Sequence, residues 1–136
     1  MKELVKTANF LPWLPQPGVA RLYVTDEIPS KEFCTKAYCF IFADKKILMT
    51  RLRFRDWDIP GGSIYPDETP VEAILRNVWE EVNAKIKIIE PIGIREIELL
   101  RPKPEGYRWP YPISVHVYYL CELVELCDFV ENKVSF

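Results

Sequence analysis

The chain has 136 residues, 49% hydrophobic and 28% charged, which is the profile of one globular domain and excludes disordered and fibrous classes. Its 18 lysines and arginines against 20 aspartates and glutamates give a net charge of −2, which argues against a protein held to a nucleic-acid polymer by phosphate neutralisation. The longest apolar run, Ala37 to Ala43, is far short of a membrane span, and Glu3, Asn9 and three prolines interrupt the first eighteen residues, where a signal peptide needs a continuous apolar core.

A single cytoplasmic domain over residues 1–136, without a membrane, is therefore the expectation. Residues 1–20 show no sustained periodicity and are expected to be irregular, with Phe10, Leu11, Trp13 and Leu14 covering an edge of the core. Ala37 to Phe42 reads as a buried strand and Ile47 to Phe54 as the next, joined by a short polar turn at Asp44-Lys45-Lys46. The period of two puts Ile47, Met49, Arg51, Arg53 and Arg55 on one face of that second strand and Leu48, Thr50, Leu52 and Phe54 on the other. After the Pro60-Gly61-Gly62 break, Thr69-Pro70-Val71-Glu72 is a capping box with proline at the first helical position. Val71, Ile74, Leu75, Val78 and Val82 then form an apolar stripe, and Asn83 suits a left-handed cap, so a helix is predicted over 70–82.

Ile86 to Leu99 reads as one or two strands, punctuated by Pro91 and Gly93. From Ile113 to Leu123 the residues alternate, with Ile113, Val115, Val117, Tyr119, Cys121 and Leu123 on one face and Ser114, His116, Tyr118, Leu120 and Glu122 on the other. Strands on both sides of one strong helix point to a mixed α/β sheet domain. Cys34, Cys39, Cys121 and Cys127 make no Cys-x-x-Cys pair and are read as thiols in a reducing compartment. Prolines at 12, 15 and 17, and again at 102, 104, 110 and 112, mark two stiff loops.

The chemistry concentrates between Trp57 and Ala84. At 100° per residue, positions 77, 80 and 81 share one arc away from the apolar stripe. Two carboxylates there, Glu80 and Glu81, stand beside a glycine turn whose carbonyls are open to a ligand, a donor set for a hard divalent cation. Arg51, Arg53 and Arg55 either supply positive charge for an anionic substrate or form an ordinary charged strand face. Acidic helix, glycine turn and basic strand together suggest metal-assisted attack on a polyphosphate.

Trp57-Asp58-Ile59-Pro60-Gly61-Gly62, followed by Glu68, Arg76 and Glu80-Glu81, resembles the Nudix box, the signature of the Nudix hydrolases: G-x5-E-x7-R-E-U-x-E-E-x-G-U, with U a bulky aliphatic. Gly62, Glu68, Arg76, Val78, Glu80 and Glu81 match at the right spacings, and the resemblance covers roughly residues 35–125. It implies an α/β/α sandwich and cleavage of nucleoside diphosphate derivatives with magnesium or manganese. Glu80, Glu81 and the Gly61 carbonyl would hold the metal, and Glu68 and Arg76 would orient the loop and helix. Asn77 stands where the box has its first glutamate, and Asn83 where it has its glycine. An amide brings no negative charge and cannot act as a base, so a nucleotide-binding or interaction module is the rival expectation. Family members usually continue after a segment like 128–136 into a further strand and a closing helix, and that layer is expected to be missing here.

Three further features are left with two readings each. Tyr107 and Trp109, interleaved with Arg101, Lys103 and Arg108, either stack a nucleobase or pack on their own loop. His116 is read as a hydrogen-bonded structural histidine, and Arg76 as a structural partner of Glu72, four residues before it. A base to replace the missing glutamate is sought in Glu122, Glu125 or Glu131. A nucleotide-type small molecule is the expected partner, with a homodimer left open.

Overall fold

The computed structural model describes residues 2–9, 12, 14–51, 57–127 and 134–135. Strand β1 (Lys2–Ala8) pairs antiparallel with β2 (Gly18–Thr25), so the first twenty residues are not irregular throughout. All of β1 but Ala8 is exposed. A strand that buries neither face carries no hydrophobic alternation, and backbone bonds to β2 hold it instead. Leu14 is buried in a small cluster with Ala20, Ile97 and Leu99, while Phe10, Leu11 and Trp13 lie outside the described residues.

A 3-10 turn at Lys31–Phe33 leads into β3 (Cys34–Ala43), and a turn at Asp44, with φ of 57°, leads into β4 (Lys46–Ile47). The predicted second strand does not run on as one piece. β5 (Met49–Arg51) pairs instead with β6 (Trp57–Asp58) in a separate small sheet, and the chain changes sheets at Leu48, whose side chain is fully buried. Residues 52–56 lie outside the described residues. β7 (Gly61–Ser63) returns to pair with β3, and helix α1 (Pro70–Val82) follows with the predicted bounds. β8 (Ala84–Leu99) and β9 (Ile113–Leu126) form the long central hairpin. β8 stays one strand across Pro91 and Gly93 by shifting register there, because a bulge absorbs a residue without an N–H to donate. β10 (Val134–Ser135) pairs with β5 and supplies an edge partner to the small sheet.

The main sheet has the order β1-β2-β8-β9-β3-β4, with β7 also on β3; β3 and β9 run parallel and the other pairs antiparallel. This is the mixed α/β sheet expected, and α1 covers one face of it. Ala37, Cys39 and Ile41 of β3 and Val115, Val117, Tyr119 and Cys121 of β9 meet Ile74, Val78 and Val82 of α1 in the core. The stripe is rotated from the predicted one: Leu75 is 43% exposed and Asn77 only 8%. The buried arc centres on Ile74 and Val78, and at 100° per residue Asn77 falls within it. Among the described residues no helix is long and apolar enough to cross a membrane.

Candidate functional site

The start of α1 anchors the loop that precedes it. Thr69 Oγ1 accepts from the Glu72 N–H at 3.2 Å and Glu72 Oε1 accepts from the Thr69 N–H at 2.9 Å. That reciprocal cap commits Glu72 to the helix terminus, and the Thr69 backbone bond holds its carboxyl below the usual range. Arg76 therefore does not pair with Glu72. Its Nε and Nη2 reach Glu68 at 2.7 and 2.9 Å, Nη2 also donates to Ser63 O at 2.8 Å, and Nη1 lies 3.3 Å from Glu80. The guanidinium also sits 3.7 Å above the Tyr65 ring.

Glu68 in turn accepts from the Tyr65 N–H at 2.9 Å. The Arg76 contact lowers the Glu68 pKa and raises that of Arg76, as expected of a two-bonded ion pair. One arginine thus ties the loop from Ser63 to Glu68 onto the helix. Arg76→Ala is expected to cost about 2–3 kcal/mol, since several charge-assisted bonds are lost together; urea unfolding measures it, and a cost below about 0.5 kcal/mol would contradict this anchoring role.

Asn77 completes the same anchor. Its Nδ2 donates to Ala73 O at 2.9 Å and to Ser63 O at 3.3 Å, while a Cβ added to Gly62 would lie 2.9 Å from its Oδ1. These are donor contacts that an ionised glutamate cannot make.

The other end of α1 carries the acidic pair. Asn83 adopts φ 53°, ψ 43°, the left-handed cap expected, and its N–H bonds to Trp79 O at 3.0 Å. Glu81 reaches back so that its Oε2 accepts from the Gly61 N–H at 3.3 Å. Gly61 has φ of 145°, and a Cβ there would stand 2.4 Å from Ala37 O and 2.6 Å from Tyr38 Cα, so only glycine lets β7 lie against β3. Glu80 is exposed and turned toward Arg76.

Among the described residues no three His, Cys, Asp or Glu side chains group as a metal cage. Glu81 at the Gly61 turn, with Glu80 next to it on the helix, is nonetheless an oxygen donor set of the kind that suits a hard divalent cation.

The other predicted residues are not all gathered here. Arg51 is exposed at the end of β5, opposite Trp57, and Arg53 and Arg55 lie outside the described residues. Tyr107 and Trp109 meet edge to face at 5.4 Å, and Tyr107 packs on the Leu14 cluster. Glu122 and Glu125 are exposed, and Glu125 is 4.0 Å from Lys85; Glu131 lies outside the described residues.

The sequence reading missed an aromatic and basic group on the sheet face away from α1. Tyr38 stacks on Tyr118 at 5.6 Å and meets His116 edge-on at 5.9 Å. Arg95 Nη2 lies 3.1 Å from His116 Nδ1. Since arginine only donates, Nδ1 is the acceptor and the imidazole proton sits on Nε2. The alternation of β3 and β9 was the available signal, but their partner Arg95 came from a strand whose bulges obscured its register.

Burial, Arg95 and Lys36 depress the His116 pKa from 6.5 to about 3. The unfolded chain takes up the extra proton between those values, so this stability is complete above pH 6.5 and is lost as pH falls toward 3. Between pH 7.5 and pH 5 the loss is about 2 kcal/mol. Urea unfolding at both pH values should show that difference shrink by a similar amount in His116→Asn, which keeps an acceptor for Arg95; an equal difference in both proteins would rule out His116 as its source.

Comparison with known proteins agrees with this geometry. The NUDIX domain model matches residues 33–129. The human diphosphoinositol polyphosphate phosphohydrolase 3-alpha is 33% identical over 108 residues, which span 76% of this chain and 59% of that protein. The mouse diphosphoinositol polyphosphate phosphohydrolase 2 is 36% identical over 69 residues, 47% of this chain and 38% of that protein. The chain thus spans well under two thirds of the length of these curated relatives. Among solved structures, the pyrophosphohydrolase BsRppH of Bacillus subtilis superposes with a TM-score of 0.62 at 22% identity, over 83% of this chain and 66% of that one, a likeness of fold. With the box loop, its capped helix and the mixed sheet all in place, the chain belongs to the NUDIX family.

Proposed function

We propose that this chain is a metal-dependent pyrophosphohydrolase, acting on a phosphoanhydride of a small phosphorylated molecule. The substrate is a nucleoside di- or triphosphate derivative, or a diphosphorylated polyol of the kind for which the curated relatives are named. The observation that carries this reading is Glu81, turned back onto the Gly61 N–H at 3.3 Å, with Glu80 beside it at the helix end. Glu80, Glu81 and the Gly61 carbonyl would hold magnesium or manganese, which when bound supplies charge neutralisation at phosphate oxygens and a more acidic water.

Glu68 and Arg76 act as positioning residues, because their bonds to each other, to the Tyr65 N–H and to Ser63 O hold the box loop on the helix. Arg51 would supply positive charge for substrate phosphates, and Tyr107 and Trp109 would border the rest of the molecule. The four cysteines, which are free thiols, support a cytoplasmic setting.

Asn77 favours a second reading. Its amide is spent on Ser63 O and Ala73 O and supplies no carboxylate, so a disarmed site that binds a nucleotide without cleaving it is the alternative. Phosphate and pyrophosphate release from a mixed panel, with magnesium and then manganese, separates the two. The native chain is expected to release product, and a chelator to stop it. A silent native chain revived by Asn77→Glu would establish the disarmed site, and silence in both would remove the hydrolase reading.

A further inference from the structure

Residues 100–112 join β8 to β9, and prolines at 102, 104, 110 and 112 stiffen them. The two ends of the segment are held side by side. The Leu99 N–H donates to Pro112 O at 2.9 Å and the Leu100 N–H to Pro17 O at 2.9 Å. Arg101 Nη1 donates to Gln16 O at 3.2 Å, and the Tyr111 hydroxyl donates to Arg101 O. Tyr107 packs inward on the Leu14 cluster.

A segment tied down in this way loses little conformational entropy when something docks on it. It nonetheless keeps three large apolar side chains in water: Leu100 is 54% exposed, Trp109 41% and Tyr111 40%. Arg101, Lys103 and Arg108 are exposed among them, and Arg108 lies 5.2 Å from the Trp109 ring centre. Glu105 is the segment's one carboxylate, so it carries a net +2 in a chain of −2.

Tryptophan and tyrosine rings beside cations and an aliphatic side chain suit the boundary between lipid headgroups and acyl chains. There a ring can bury its apolar body while its polar edge stays wet, and cations meet anionic headgroups. Single-stranded nucleic acid would use the rings and the cations but leave Leu100 idle. A purely acidic peptide answers only the cations.

We infer that the segment 100–112 is a docking surface for an anionic lipid bilayer. Leu100, Trp109 and Tyr111 enter the headgroup layer, and Arg101, Lys103 and Arg108 meet its negative charge. A peripheral contact of this kind asks for no spanning helix. It is reversible and charge-dependent, because each basic group near an anionic surface contributes about a factor of five. The surface goes beyond the hydrolase reading and does not rest on it.

Co-sedimentation of the full chain with vesicles tests this, using phosphatidylcholine alone and phosphatidylcholine mixed with phosphatidylserine. Binding to the mixed vesicles is expected to be at least about tenfold tighter and to weaken with added salt. Lys103→Gln/Arg108→Gln is expected to weaken it about twentyfold, and Leu100→Ser about threefold at unchanged charge. All three positions are exposed, so the unfolding midpoint should not move. Lys103→Gln alone, expected to cost about fivefold, covers the case of a double variant that fails to fold. Brominated acyl chains are expected to quench tryptophan fluorescence in the native chain and much less in Trp109→Phe, which reports insertion.

Absent binding, or equal binding to the two kinds of vesicle, would overturn the surface. So would equal affinity in the charge-neutralised chain, or quenching that survives Trp109→Phe. Polyuridylate bound as tightly as the mixed vesicles and indifferent to Leu100→Ser would give the segment to single-stranded nucleic acid instead. The same result with polyglutamate would give it to an acidic protein.

Discussion

Replacing Glu81 with glutamine is expected to lower metal-dependent hydrolysis by about two to three powers of ten, the few kcal/mol that a divalent ion contributes at a developing phosphate charge. Glutamine has the same shape and keeps an oxygen to accept from the Gly61 N–H, now at 3.3 Å. The loop should therefore stay in place and the unfolding midpoint should hardly move. What changes is charge: a neutral amide is a weak ligand for a hard cation. A magnesium titration of kcat measures the effect, and a higher metal requirement should accompany the lower rate. Retention of more than about a tenth of the native rate, which is under 1.4 kcal/mol, would show that Glu81 does not hold the ion.

Gly61→Ala is expected to do more damage to the fold than any other single-methyl change near the site. The new Cβ would meet Ala37 O at 2.4 Å, Tyr38 Cα at 2.6 Å and Tyr38 Cδ1 at 2.7 Å, at a φ of 145° that side chains rarely adopt. The first two are backbone atoms of β3, which is paired with β7 on one side and β9 on the other, so they cannot withdraw without breaking a ladder. A cost of about 3–4 kcal/mol is expected, with hydrolysis abolished because the Glu81 contact goes with the turn. Gly62→Ala is the control: its nearest neighbour at 2.9 Å is only the end of the Asn77 side chain, which can turn. Equal stability losses for the two alanines in urea unfolding would show that β3 does not confine Gly61.

Where a signal is local, residues and structure agree closely. Thr69, Pro70 and Glu72 at one end and Asn83 at the other placed α1 at 70–82, the span observed, because caps are made by neighbours in the chain. The glycine turn, Glu68, Arg76 and the acidic pair were legible for a related reason: their spacing is a property of the chain itself. The faces of β3 and β9 were legible too, since each has one side against the helix.

The missing pieces are those with no local cause. β1 carries no pattern because it buries neither face. The change of sheet at Leu48 depends on β6 and β10 being there to receive β5.

Helical spacing alone offers Arg76 the Glu72 side chain, whereas the folded loop brings Glu68 to 2.7 Å after the cap has taken Glu72, in keeping with the loop-and-helix role that the box resemblance implied. Asn77 is the clearest instance. Sequence alone established that a glutamate position of the box holds an amide, and hence that a charge is lost. Only the folded loop showed what takes its place: an N–H donor aimed at Ser63 O and Ala73 O. Composition, caps and motif spacing therefore determined the family, the helix and the candidate metal ligands, because each is written into consecutive residues. Tertiary structure decided which partner each charged group takes, because that depends on distances between segments far apart in the chain.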